Sequence, residues 1–172
     1  MMTYKEQGPA ILGWWRNALH DPHRGETRAL SARLRRAVSP LEALSEDRVH
    51  ELGQTIGCHE PERLAALAMV LACVAEHVTT SLSRRLGAGD PRPMSELRFQ
   101  RLIRCLDYRD LTQALRRGLP LAGDICNVAL LGADILYWNE QTRIRWCFDY
   151  FGATPPQSTD QSEPSSSEEV TA

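Results

Sequence analysis

The chain has almost no lysine: Lys5 is the only one, so nineteen of its twenty basic residues are arginine. It also lacks any run approaching the roughly 20 apolar residues of a membrane span, and its first residues show neither the apolar stretch nor the small-residue cleavage site of a signal peptide. Its five cysteines (Cys58, Cys73, Cys105, Cys126, Cys147) are odd in number, scattered and without a CxxC pair. That pattern encodes neither a disulfide framework nor a zinc knuckle, and it suits a reducing cytoplasm. No GxSxG, P-loop or GxGxxG motif occurs. Aromatics are only 6% of the chain.

The arginine bias has two readings. A GC-rich genome favours Arg over Lys without any function. Arg is also the better planar fork for phosphate and the better stacker on bases. The formal net charge is −2. Residues 153–172 hold Asp160, Glu163, Glu168 and Glu169 with no Lys or Arg, which is −4, so the remaining body carries −2 + 4 = +2. A body so close to neutral does not promise strong attraction for free DNA or RNA.

Periodicity predicts an all-α protein with no convincing alternating strand. A first helix is expected over residues 9–20 and, after the Asp21-Pro22-His23-Arg24-Gly25 turn, a second over 26–38 with Leu30, Leu34, Ala37 and Val38 as its apolar stripe. Ser39-Pro40-Leu41-Glu42 is a capping-box start with Pro at the first helical position. That segment should break near Ser45 and close at Gly57. Pro61 opens a helix apolar on every side, with no charge between Arg63 and Glu76, which belongs at the middle of a bundle. Gly87-Ala88-Gly89-Asp90-Pro91-Arg92-Pro93 is a Gly/Pro-rich linker, predicting two small helical bundles, 1–86 and 94–152. In the second, Ser95 caps a helix through Leu106, another runs over 107–117, and an apolar helix covers 124–138. Residues 153–172, rich in Pro, Ser, Thr and Glu, are expected to form a disordered acidic tail.

Aromatic mass concentrates in the last helix, over 136–152. Ile144, Cys147, Phe148 and Phe151 at i, i+3, i+4 and i+7 predict its apolar face, with Arg145 pairing to Asp149 on the surface. Trp138, Trp146 and Tyr150 share one face by their i+4 and i+8 spacing and read as core rather than as base-stacking platforms.

Candidate chemistry is sparse. His20-Asp21 with His23, and Cys58-His59-Glu60, are explained by helix ends, since a metal site would need further ligands from other helices and none of His50, His59 and His77 pairs with another His at i+3 or i+4. A helical-bundle metalloenzyme needs paired Glu-x-x-His motifs, and only Asp47-x-x-His50 comes near. The sequence therefore predicts no catalytic residues, no metal, no cofactor and no enzyme. Arg98, Arg101 and Arg104 recur every third residue, a ladder with a rise of about 4.5 Å per rung that can follow a sugar–phosphate backbone. Taken alone, the same three read first as a solvated face paired with Glu96 and Asp107.

Several separated pieces resemble one family. They are Leu12-Gly13-Trp14-Trp15, Leu34-Arg35-Arg36-Ala37 with Ser39-Pro40, Ser95-Glu96-Leu97-Arg98-Phe99-Gln100-Arg101-Leu102-Ile103, Leu136-Tyr137-Trp138, and the run from Arg143 to Phe151. In this order they are similar to CasB, the small subunit of the type I-E CRISPR surveillance complex called Cascade. Cys147 stands where that family usually has Ala. The resemblance implies a non-catalytic helical subunit that lies, with a second copy of itself, against the backbone subunits carrying the guide RNA and beside the large subunit. It further implies contact with crRNA and with the displaced single-stranded target DNA, no membrane, and a cytoplasmic place in antiviral defence. On that reading Arg33, Arg36, Arg98, Arg101, Arg104, Arg143 and Arg145 supply nucleic-acid contacts. The alternative is a stand-alone helical DNA-binding transcriptional regulator. Residues 24–56 come closest to its tri-helical unit but lack the tight turn.

Overall fold

The computed structural model describes residues 2–154. Helix α1 is Tyr4–Trp14 and runs on through a π turn at Trp15–Leu19. It is followed by α2 (Gly25–Arg36), α3 (Pro40–Leu44), α4 (Asp47–Ile56) and α5 (Pro61–Leu71). A short strand β1 (Glu76–His77) precedes α6 (Leu82–Gly87), α7 (Glu96–Ile103) and α8 (Tyr108–Gly118). A 3₁₀ turn at Leu119–Ala122 leads to β2 (Ile125–Cys126), then α9 (Val128–Leu136) and α10 (Glu140–Tyr150). The expected all-helical class holds, with two minimal strands added.

Local chemistry sets the helix starts. Ser39 accepts from the Glu42 N–H with Pro40 opening α3, and Ser81, Ser95, Asp107, Asn127 and Asn139 cap α6, α7, α8, α9 and α10 in the same manner. Each such cap satisfies one of the orphan N–H groups of a first turn. Gly57, at φ 71°, supplies the left-handed residue that ends α4.

Helix α5 is the central element: Leu64 to Leu71 are all buried, and it packs on α3, α8 and α9. It stops at Leu71, short of the apolar run, because β1 pairs in parallel with β2. The Ala75 N–H donates to Asp124 O (2.8 Å) and the Val78 N–H to Cys126 O (3.0 Å). The strands also take the first residues of the helix expected over 124–138. Val38, expected in the apolar stripe of the second helix, is 82% exposed two residues past the end of α2, and Leu106, expected to end the helix capped by Ser95, is 78% exposed three residues past the end of α7.

Contacts run freely between the segments on either side of residues 87–93. Helix α1 packs on α9 and α6 on α10, and one buried cluster includes Ile11, Leu67, Phe99, Leu131 and Trp146. At the α6–α10 contact only glycine fits, since a Cβ on Gly87 would lie 1.8 Å from the Tyr150 carbonyl oxygen. This brings the end of α10 against the start of α7. The acidic tail lies outside the described residues except for Ala153 and Thr154.

Candidate nucleic-acid interface

The aromatics of the chain belong to its core. Each tryptophan N–H is used internally: Trp14 donates to Arg48 O (2.8 Å), Trp15 to Leu71 O (3.1 Å), Trp138 to Cys105 O (2.9 Å) and Trp146 to Asp134 Oδ2 (2.8 Å). Trp138 meets Trp146 edge-on at 5.1 Å, and Phe99 stacks on Tyr150 at 3.9 Å. The buried face of α10 is Thr142, Trp146 and Tyr150. The face predicted from Ile144, Cys147, Phe148 and Phe151 is rotated away from it, with Ile144 and Phe151 half in solvent. Both faces of this helix carry apolar residues. The acceptors and ring partners waiting on α7 and α9 decide which one turns inward.

Arg145 is held by those same neighbours. Its guanidinium pairs with Asp134 of α9 and donates to the Tyr4 hydroxyl (3.0 Å). Tyr4 itself donates to Asp134 Oδ1 (3.0 Å), so the carboxylate takes three donors with its side chain 5% exposed. Burial pushes the Asp134 carboxyl above its ordinary value, against the pull of Arg145 and of the hydrogen bonds from Trp146, Arg145 and Tyr4. The predicted surface pair with Asp149 does not form. Asp149 instead accepts from Ser83 Oγ (2.8 Å) and Ser81 Oγ (3.4 Å) and faces Arg84.

The other sequence-selected arginines fall into two groups. Arg33 forms a two-pronged pair with Glu46 (2.6 and 2.9 Å). Arg143 reaches Ile103 O (3.3 Å) and Asn139 O (3.4 Å), tying α10 to the end of α7. Arg36, Arg98, Arg101 and Arg104 are exposed and make no side-chain hydrogen bond or ion pair among the described residues. The carboxylates expected to neutralise the α7 ladder are engaged elsewhere. Glu96 pairs with Arg92 (2.7 Å), and Asp107 Oδ1 caps α8 by accepting from the Asp110 N–H (2.8 Å).

Helices α7 and α8 pack together, and a groove of about 530 Å³ runs between them, lined by Arg98, Arg101 and Arg117 with Met94 and Asp110. Three guanidinium groups against one carboxylate give this groove a formal +2. Arg117 is the functional candidate that sequence reasoning missed. At the end of α8 a cation also suits the helix dipole, which gives Arg117 no distinct sequence signal, and the signal for it is the packing of α8 on α7. Arg116, one residue earlier, points the other way. It donates to Leu34 O (2.5 Å), Ala37 O (2.6 Å) and Met69 O (3.3 Å), joining the ends of α2 and α5.

Two of the remaining sequence candidates have structural partners. Asp21 pairs with Arg24 (3.4 Å), and His20 stacks on Trp15 at 4.4 Å. Among the described residues no three His, Cys, Asp or Glu side chains come together to hold a metal ion, and no helix is long and apolar enough to cross a membrane. Since more than half of the Arg33 side chain is in water, Arg33→Ala should cost less than about 1 kcal/mol. A shift in the urea midpoint larger than that would show the pair to be a structural clasp.

A search of curated proteins finds no match. Among solved structures, a chain of the crystal structure of E. coli Cascade bound to a PAM-containing dsDNA target is similar, with a TM-score of 0.62 and 21% sequence identity. The alignment covers 81% of this chain and 93% of that one, a likeness of fold. Residues 30–151 match the family described as CRISPR-associated protein Cse2. With that match spanning well over half of its length, the chain belongs to the CRISPR-associated protein Cse2 family.

Proposed function

We propose that this chain is the non-catalytic small subunit of a type I-E Cascade complex, where it holds the displaced DNA strand without reading its sequence and braces the crRNA–target hybrid. Its neighbours are the guide-RNA backbone subunits, the large subunit and a second copy of itself, assembled in the cytoplasm for antiviral defence. The observation that carries this reading is the groove between α7 and α8, where Arg98, Arg101 and Arg117 stand together with only Asp110 against them. Arginines with no carboxylate partner among the described residues can give their forks to phosphate oxygens, and such contacts position a strand without specifying bases. Arg36 and Arg104 are free to add contacts; Arg33, Arg143 and Arg145 are already committed to protein acceptors and carry less of the load.

A body near +2 binds free nucleic acid weakly, but a subunit fixed in an assembly meets the strand at high effective concentration. R-loop opening is close to energetic balance, so modest phosphate contacts are enough to tip it. Charge reversal of Arg98 and Arg101 together should weaken retention of the open target by the assembled complex at least about tenfold and reduce the salt slope of binding by about two. The measurement is salt-dependent retention by complexes first shown to contain the variant subunit. Unchanged retention by a complete complex would remove these residues from the interface. Failure of the native chain to co-purify with candidate neighbours would count against the assembly itself.

A further inference from the structure

We propose that the acidic segment 155–172 docks on the Arg98–Arg101–Arg117 groove and occupies it until a polynucleotide displaces it. This rests on the reading of that groove as a phosphate site. Three observations lead to it. The segment carries Asp160, Glu163, Glu168 and Glu169 and no basic residue, so its charge complements the groove. The last helix, four residues before the described chain ends, reaches the groove's edge: the Tyr150 hydroxyl donates to Met94 O (2.6 Å), and Phe99, next to Arg98, stacks on Tyr150 at 3.9 Å. Met94 itself lines the groove. At up to about 3.5 Å per residue, the segment has a reach of roughly 60 Å, far more than the path requires.

The third observation is the pattern of pairing. Arg24, Arg33, Arg48, Arg63, Arg84, Arg92 and Arg145 each face a carboxylate within the described residues. The three groove arginines do not, although they sit together beside Asp110, and Glu96 and Asp107 are engaged elsewhere. Exposed ion pairs are worth about 0.2–1 kcal/mol each, and tethering raises their effective concentration to the millimolar range. The contact is therefore strong enough to fill the groove and weak enough to yield to a strand whose binding releases counterions. Docking of this kind favours nucleic acid delivered by an assembly over stray polynucleotide.

The test uses the full chain with Asp160→Asn, Glu163→Gln, Glu168→Gln and Glu169→Gln together, and a mixed-sequence single-stranded DNA oligonucleotide followed by fluorescence anisotropy. The chain with the neutral segment should bind the oligonucleotide about three- to tenfold more tightly at low salt, with the gain fading as salt rises. Adding Arg98→Gln, Arg101→Gln and Arg117→Gln should abolish that gain. The same gain surviving in the arginine-substituted background would mean that the segment repels polynucleotide from a distance, which overturns docking. Without any DNA, backbone amide resonances of 155–172 should differ between the native chain and the arginine triple variant, and identical resonances overturn docking directly. Oligonucleotide binding unaffected by the arginine triple variant would sink the phosphate reading of the groove, while the resonances still decide whether the segment docks.

Discussion

Asp134→Ala is expected to destabilise the protein by about 3 kcal/mol, a large share of the ~5–15 kcal/mol that holds a domain together. The carboxylate sits almost wholly buried and satisfies Arg145, the Trp146 N–H and the Tyr4 hydroxyl at once. Its removal strands all three donors. The figure falls at the low end of the range for broken buried pairs because about a third of the Arg145 side chain remains in water. Asp134→Asn keeps one acceptor oxygen and turns an amide N–H₂ toward another donor, so its cost should be smaller, about 1–3 kcal/mol. The two variants also separate charge from shape through pH. Burial raises the folded carboxyl above its ordinary 3.8, so the folded state binds the proton more readily than the unfolded chain. Protonation then favours folding as pH falls through the folded value, and the contribution is complete below 3.8. The stability gap between native protein and Asp134→Asn should widen as the solution is acidified through that window. A gap that narrows would mean that Arg145 outweighs burial. Urea unfolding across pH, with both variants, gives the answer.

The same cluster shows what a sequence discloses and what it withholds. Ser39-Pro40, Gly57, Pro61 and Ser95 mark their helix boundaries because the chemistry of a cap is complete within four residues. The buried middle of α5 is legible for a similar reason, its charge-free circumference. The strands β1 and β2 are two residues each and exist only because distant segments meet, so no local pattern announces them. Arg145 was assigned to Asp149 by spacing, yet its partner lies on α9. A signal was available: Asp134 is the only charge in Val128–Leu136, and a lone carboxylate in so apolar a helix must find a donor or stay neutral. The candidate interface divides likewise. Arg98 and Arg101 follow from period along one helix, whereas Arg117 enters only when α8 packs beside α7. The inverted face of α10 has the same origin, for ring partners on neighbouring helices override the apolar count along its own length.

Arg116→Met should cost about 2–4 kcal/mol, while Arg117→Met, one residue along, should leave stability within about 0.5 kcal/mol of native. Arg116 projects from α8 between the C-terminal ends of α2 and α5 and donates to Leu34 O, Ala37 O and Met69 O. These carbonyls stand at helix ends, where the following chain offers no i+4 N–H. The Val38 N–H, which an uninterrupted helix would give to Leu34 O, goes to Glu42 Oε2 (3.4 Å) instead. A guanidinium placed there satisfies orphan acceptors and faces the negative ends of two helix dipoles. Methionine keeps much of the stem and removes every donor, leaving the acceptors half-buried and bare. Arg116→Lys should restore only part of the loss, because a single ammonium on a flexible stem cannot span three carbonyls from two helices. Arg117 makes no such contacts among the described residues and lines the groove with Arg98 and Arg101. Its loss should therefore appear in nucleic-acid retention, as roughly one unit of salt slope, and not in the urea midpoint. The reverse pattern, with Arg116→Met neutral to folding and Arg117→Met harmful, would show that the two guanidiniums had been assigned to the wrong tasks. Both variants retaining strand and fold together would remove α8 from the interface and leave the α7 ladder to act alone.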